Sequence, residues 1–189
     1  LGSLGLDTAA VPQLMEFARR LLEKNKVMNL TAITEPKDVA TLHLLDSAWL
    51  LTAADCRGKT LVDVGTGAGF PGVVAKIFKP ELQLTLMEPT GEGVEFLEYV
   101  GAQLGLSGVE FAKERAEEAA RKVWREQFDV ATARGVAALP MLSEYCLPLD
   151  KVGGNFLAMK GASGEEELAA ARGAIKKLGG AYKETRTLH

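Results

Sequence analysis

The sequence predicts an α/β fold in which a mainly parallel central sheet carries helices on both faces, behind an N-terminal helical extension. Three observations predict it. From Lys59 onward, short β-rich runs (TLVDV, QLTLME, VEFAK, FDVATA, NFLAMK) alternate with helical windows, the sequence form of a wound parallel sheet. Before that point, about 55 residues carry only helical periodicity. The 189 residues are 47% hydrophobic and 25% charged, enough to build a core without staples, which excludes a disordered chain, a collagen or a disulfide scaffold.

In chain order, residues 11–24 (VPQLMEFARRLLEK) place Val11, Leu14, Met15, Ala18, Leu21 and Leu22 at steps of three and four, with Pro12 suited to a first helical turn. A second helix is expected over 36–53, where Val39, Leu42, Leu45 and Trp49 share a stripe. Further helical windows fall at 71–78, 93–104, 116–124, 140–146 and 165–178. Gly153-Gly154 and Gly179-Gly180 read as helix stops ahead of extended runs, and AYKETRTLH reads as one more strand that is cut short. No repeat or linker interrupts the pattern. The expected organisation is one domain over 1–189, with a helical extension at 1–57 and the sheet-bearing core at 58–189.

Charge and cysteines narrow the function classes. Twenty-two basic against 25 acidic residues give a net charge of -3, so no global field draws the molecule to nucleic acid or an anionic membrane, and a polyanion must be met by a local basic patch. Three such patches are candidates: Arg19, Arg20, Lys24 and Lys26; Arg121, Lys122 and Arg125; and Lys176, Lys177, Lys183 and Arg186. Cys56 and Cys146 fit neither a zinc pattern nor a secreted framework, and Cys146 reads as buried structure. The first basic residue is Arg19 and no run has the length of a membrane helix, so the expected address is cytoplasmic, with no signal peptide and no membrane partner.

The strongest signal is LVDVGTGAGFPG at 61–72, an apolar strand running into Gly65, Gly67 and Gly69 and then into a helix begun near Pro71. Glycines there permit positive φ and remove the Cβ that would hold a ligand off the backbone, while a helix N-terminus offers free N–H groups. Glu88 ends the next strand, about 20 residues on, the spacing at which a carboxylate accepts hydrogen bonds from ribose hydroxyls. Dinucleotide loops usually read GxGxxG and keep the strand apolar. Here Asp63 precedes a GxGxG triplet, and an acid at that place suits a ligand bearing a sulfonium and an ammonium group rather than a pyrophosphate. The pattern D-x-G-x-G-x-G resembles motif I of the class I, Rossmann-like, S-adenosylmethionine-dependent methyltransferases.

The resemblance narrows further. Asn29-Leu30-Thr31, His43-Leu44-Leu45-Asp46-Ser47, DVGTGAGFPG, ARGVAALPMLSEYCLPL and GGNFLAMKG, in that order, are together similar to the RsmG (GidB) family of 16S rRNA guanine-N7 methyltransferases, over roughly residues 20–161. The resemblance implies a cofactor pocket built from Asp63, Gly65, Gly67, Gly69 and Phe70, with Glu88 on the ribose, Pro89 and Thr90 beside it, and Ala116 and Glu117 flanking the adenine. It implies that Arg134 lies at the methyl-donor end and, with Lys160, serves catalysis. Arg115 and Lys160 match two further basic positions that the family ties to cofactor or RNA, and His43 is a third candidate for RNA contact. His43 and Asp46, at i and i+3 on a helix, are also placed for a bond that docks the N-terminal helices. The chain departs from the family in Glu92-Gly93 where a basic pair is usual, in Leu42 where an arginine is usual, in Gly135 within ARG, and in lacking a basic C-terminal tail.

The implied chemistry is methyl transfer from S-adenosylmethionine to guanine N7, giving S-adenosylhomocysteine without a metal. N7 already carries an exposed lone pair, so positioning supplies most of the rate. No Pro-Cys nucleophile or NPPY-type motif is present. The implied partner is 16S rRNA within the 30S subunit or an assembly intermediate, met by a monomer. Two alternatives stand beside this reading. An NAD(P)-dependent oxidoreductase shares the architecture but is disfavoured by Asp63 and the glycine spacing. A non-catalytic ribosome-associated module that retains S-adenosylmethionine binding is suggested by Glu92-Gly93, Leu42 and the missing tail.

Overall fold

The computed structural model describes the chain except residues 1–4, 29, 32–33, 54–55, 57 and 188–189, and the side chains of 40–42. Asn29 and the side chain of Leu42, both singled out above, therefore lie outside the described residues.

The β-rich runs form strands β1 (Thr60–Val64), β2 (Gln83–Met87), β3 (Val109–Ala112), β4 (Phe128–Arg134) and β5 (Asp150–Met159). They make one sheet in the order β3-β2-β1-β4-β5, every pair parallel. Strand order reverses between β1 and β4, and a crevice for a ligand is expected outside the carboxyl ends at such a reversal. Helices α1 (Val11–Met28), α2 (Pro36–Asp38) and α3 (Asp46–Leu50) precede the sheet, and α4 (Gly72–Phe78), α5 (Gly91–Gln103), α6 (Ala116–Ala119), α7 (Leu139–Cys146) and α8 (Gly164–Lys177) alternate with its strands.

Side chains alternate across each strand, and the core divides accordingly. Leu61, Leu84, Leu86 and Val130 face a cluster with Leu14, Phe17 and Leu21 of α1, Val39, Leu44 and Ala48, and the apolar sides of α4 and α5. Val62, Val64, Met87, Ala131 and Ala133 face Ala116 and Ala119 of α6, Leu142 and Cys146 of α7 and Ala171 of α8. Both faces are thus covered, as the apolar strands require. The same alternation sends Asp63, Thr132 and Arg134 to the face that carries the N-terminal helices.

Four expectations are corrected. The helix expected over 36–53 ends at Leu50 and is π-wound from Val39 to Leu45, a geometry often found where a side chain is aimed at a functional site. The window 116–124 stays helical only to Ala119; turns follow, and Glu126 sits at φ +52. Gly153-Gly154 does not stop a helix but lies inside β5, where the ladder to β4 shifts register between Phe128 and Val130. A Cβ at Gly154 would lie 2.9 Å from the carbonyl oxygens of Asp129 and Lys151, so glycine is what lets the two strands close there. Residues 181–187 form no strand: they are exposed throughout, and a strand without a neighbour gains no ladder.

Candidate functional site

The turn between β1 and α4 is held from beneath by backbone bonds. The N–H groups of Gly65 and Thr66 donate to the Met87 carbonyl at 2.8 and 3.3 Å, tying the loop to the end of β2. Gly65, Gly67 and Gly69 all have positive φ, +62, +57 and +104. A Cβ on Gly69 would strike Val73 at 2.7 Å, whereas one on Gly67 would meet nothing within 4 Å, so the loop presents bare backbone to open space at its middle glycine. Phe70 is buried, and the Phe70–Pro71 peptide bond is cis.

Asp63 is fully buried. Its Oδ2 accepts from Thr66 Oγ1 at 2.6 Å and from the Gly72 N–H at 2.8 Å, joining strand, loop and the first residue of α4. Burial pushes its carboxyl up to about 7, against the pull of those two hydrogen bonds. Oδ1 is buried and has no hydrogen-bond partner among the described residues. The side chain expected to meet a cationic ligand is therefore turned into the loop, with one oxygen committed to bracing it.

Glu88, at the end of β2, is also buried. Its Oε2 accepts from the Gly67 N–H at 2.9 Å, and its Oε1 from the N–H and hydroxyl of Thr90 at 3.2 and 3.0 Å. A carboxylate has about four lone-pair sites, so acceptor capacity remains. Thr90 in turn accepts from the Gly93 N–H at 3.2 Å and caps α5. A Cβ at Gly93 would lie 2.6 Å from Glu88 Cγ, so this departure from the family pattern is what lets α5 start tight against Glu88. Beyond β3, Ala116 is buried and Glu117 half-buried at the start of α6, next to exposed Arg115; Pro89 is exposed.

At the end of β4 the Arg134 guanidinium lies 5.3 Å from the Phe70 ring centroid, and its Nη2 donates to His43 Nδ1 at 2.7 Å. His43 stacks on Phe70, with centroids 4.4 Å apart and planes 8° from parallel. An arginine only donates, so Nδ1 must accept and the imidazole is neutral; its Nε2–H is then left to donate to Thr31 Oγ1 at 3.0 Å. Burial and the neighbouring Arg134 charge lower the His43 pKa to about 4, in keeping with that tautomer. Burial lowers the Arg134 pKa too, opposed by the carboxylates of Asp63 and Asp46.

The rim places Asp63, Glu88, Arg134 and Lys160 at or just past strand ends, as expected. It does not leave all of them facing outward. Lys160 Nζ donates to the Ala137 carbonyl at 2.5 Å and pairs with Glu167 Oε1 at 3.1 Å, so its charge is committed to the loop after β4. His43 is buried, with its ring nitrogens on Arg134 and Thr31 rather than on Asp46, a placement that turns it away from an RNA contact. Of the basic patches, Arg19 is paired with Glu16 and Glu23, and Arg20 with Glu16 and the Tyr99 hydroxyl. Arg121, Lys122 and Arg125 are exposed. Cys146 is buried, and burial raises its thiol pKa far above the ordinary range. Two residues of this rim carry no sequence signal: Glu167, whose partners lie in other elements, and Val136, which stands over Gly65.

The family pattern for rRNA small subunit methyltransferase G (GidB) matches residues 10–189. The chain belongs to this family. It is 47% identical over 183 residues to the ribosomal RNA small subunit methyltransferase G of Staphylococcus epidermidis, covering 96% of this chain and 77% of the relative. It is 45% identical to the protein of the same name from Symbiobacterium thermophilum, covering 100% and 80%. Among solved structures it is similar in fold to precorrin-6y C5,15-methyltransferase from Geobacter metallireducens, with TM-score 0.56, 16% identity and coverage of 70% and 69%. A SAM-dependent O-methyltransferase from Thermotoga maritima gives TM-score 0.53 at 19% identity, covering 83% of this chain and 55% of that one. Rossmann-like architecture and family together make this chain a methyltransferase. Among the described residues no helix is long and apolar enough to cross a membrane, and no cluster of His, Cys, Asp or Glu is arranged to hold a metal ion.

Proposed function

We propose that this protein methylates N7 of a guanine in 16S rRNA, with S-adenosylmethionine held over the β1–α4 turn. The observation that carries the reading is the pair of anchors flanking that turn at the strand-order reversal: buried Glu88 on one side and the Arg134–His43–Phe70 stack on the other. The residues fit such a ligand: Gly67 leaves open space at the loop, Glu88 keeps acceptor capacity for a ribose hydroxyl, and Asp63 braces the turn from within. Pro89 and Thr90 would flank its ribose, and Ala116 and Glu117 its adenine. When bound, the cofactor supplies a sulfonium methyl, which passes to N7 and leaves S-adenosylhomocysteine.

The protein's own part is placement. Guanine N7 needs no base to remove a proton, so the rate comes from holding its lone pair in line with the methyl. Arg134 is the catalytic residue of this reading, holding the donor end and, by its O6 acceptor, the guanine with its guanidinium. Its aim is set by Nδ1 of His43 and by the Phe70 ring. Lys160 acts one step back, by fixing the loop that follows Arg134. Arg115 and the exposed Arg121, Lys122 and Arg125 are the phosphate-facing candidates. A net charge of -3 suits a folded particle, the 30S subunit, better than a short oligonucleotide, and an rRNA substrate goes with work in the cytoplasm. We take the active form to be a monomer that uses no metal. A nicotinamide oxidoreductase or a non-catalytic module draws no support from the relatives.

The test is transfer of a labelled methyl group to unmethylated 16S rRNA, naked and in 30S subunits, with the product base identified by nuclease digestion and mass spectrometry. One N7-methylguanosine is expected, in the particle. Intact cofactor binding with no labelled guanine on either substrate would sink the proposal.

A further inference from the structure

Two residues beyond Arg134, the chain makes a tight turn over the cofactor loop. Val136 sits at φ +61, a left-handed conformation that crowds a β-branched side chain. The Ala137 N–H closes back on the Gly135 carbonyl at 2.7 Å, an i to i+2 bond around a residue of positive φ, which is the rare and strained form of γ-turn. Little burial offsets that strain, because Val136 is 52% exposed. The turn is nonetheless braced from two other elements. Lys160 Nζ, just past β5, donates to the Ala137 carbonyl; Glu167 of α8 accepts from the Leu139 N–H at 2.9 Å and from Ser163 Oγ at 2.9 Å, and pairs with Lys160. The braced side chain stands directly over the cofactor loop, since a Cβ at Gly65 would come 2.7 Å from Val136 Cγ2.

A strained, exposed, apolar residue held over the glycine turn has a chemical use in this reaction. The attacking atom is an acceptor lone pair, and any donor or water beside guanine N7 ties that pair up in a hydrogen bond. An apolar wall at the N7 edge of the base, where the in-plane lone pair points, offers it no hydrogen bond and displaces water while N7 is aimed at the methyl. We propose that Val136 is this wall: a substrate-contacting specificity residue, held in place by the Lys160–Glu167 pair. The proposal rests on the guanine-N7 reading above.

Strain makes the role separable from a structural one. In Val136→Gly the turn relaxes, so the variant is expected to melt no lower than wild type and to bind S-adenosylmethionine within about twofold. Its kcat on 30S subunits is expected to fall about tenfold or more, because the base loses its stop. Val136→Ile, which keeps an apolar wall, should retain kcat within about threefold, whereas Val136→Thr, nearly the same size but with a hydroxyl, should lose rate as the glycine variant does. Wild-type turnover by Val136→Gly or Val136→Thr overturns the inference and leaves the methyl-transfer reading intact. A loss that tracks weaker cofactor binding or a lower melting temperature also overturns it, by assigning Val136 to the cofactor site or the fold. A wild-type protein that binds S-adenosylmethionine and labels no guanine fails in a different pattern, and overturns the reading together with the role given to Val136.

Discussion

At the β1–β2 side of the rim, Glu88 is held by its chain neighbours. Thr90 is two residues away, and Gly67, 21 residues away, lies within the same β1–α4–β2 unit. At the β1–β4 side, Arg134 is held by His43, 91 positions earlier, and the loop after it by Lys160 and Glu167, 23 and 28 positions from their backbone partners. The first side is a local device that any such turn can carry. The second exists only when the N-terminal helices, β4, β5 and α8 have all packed. The half that holds a cofactor's ribose is therefore written in one short stretch of chain, and the half that aims the transferred group depends on the whole fold.

That contrast breaks in stated ways. The largest expected effect is from Arg134→Ala: removing a preorganised cationic donor should cost about 10²–10³-fold in single-turnover methyl transfer, with cofactor affinity changed by less than about tenfold. A loss explained by affinity alone would put Arg134 in the same role as Glu88 and erase the distinction. Next is His43. Its folded-state pKa, about 4, lies below the ordinary 6.5, so the unfolded chain binds the extra proton first as pH falls. The stabilisation is complete above pH 6.5 and is lost as pH drops toward 4. Relative to wild type, His43→Phe should remove about 2–3 kcal/mol of that loss, read as the difference between their denaturation free energies at pH 7 and pH 4.5. The difference isolates His43, because Asp63 and Asp150, raised to about 7 and about 8, act with the opposite sign in both proteins.

Glu88→Ala sharpens the other side. Losing the carboxylate should weaken S-adenosylmethionine binding by about 10–100-fold in calorimetry, with kcat at saturating cofactor held within a few-fold. A collapse of kcat instead would join the two halves into one unit. The smallest effect belongs outside both: Arg19→Ala removes exposed ion pairs to Glu16 and Glu23 and should change stability by less than about 1 kcal/mol in chemical denaturation.

Legibility followed the same division. The glycine loop and Glu88 are visible because both belong to one β1–α4–β2 unit, whose fixed crossover length brings the turn and the next strand end together. Arg134 was found by resemblance, since nothing near it in the chain marks it. The sequence leaves His43 open between an RNA contact and an inward bond, because helical spacing reports which residues share a face and not which face meets the sheet. Val136 is silent in the sequence, since a valine in a loop carries no sign of the φ it is forced to adopt. Gly153-Gly154 misled for a related reason: a glycine pair marks a helix stop and a register shift alike, and only the partner strand tells them apart.

By itself, the sequence determined the alternation of strands and helices, the cofactor-type turn with its acid, and through its motifs the family, because each is carried by residues close together in the chain. Tertiary structure alone decided that Asp63 turns inward to brace the loop, that His43 serves Arg134, and that Lys160 serves the turn at Val136. The physical reason is that a side chain's partners are chosen by burial and by the need to satisfy every polar group taken out of water, and those demands are set by elements that meet only when the sheet is assembled.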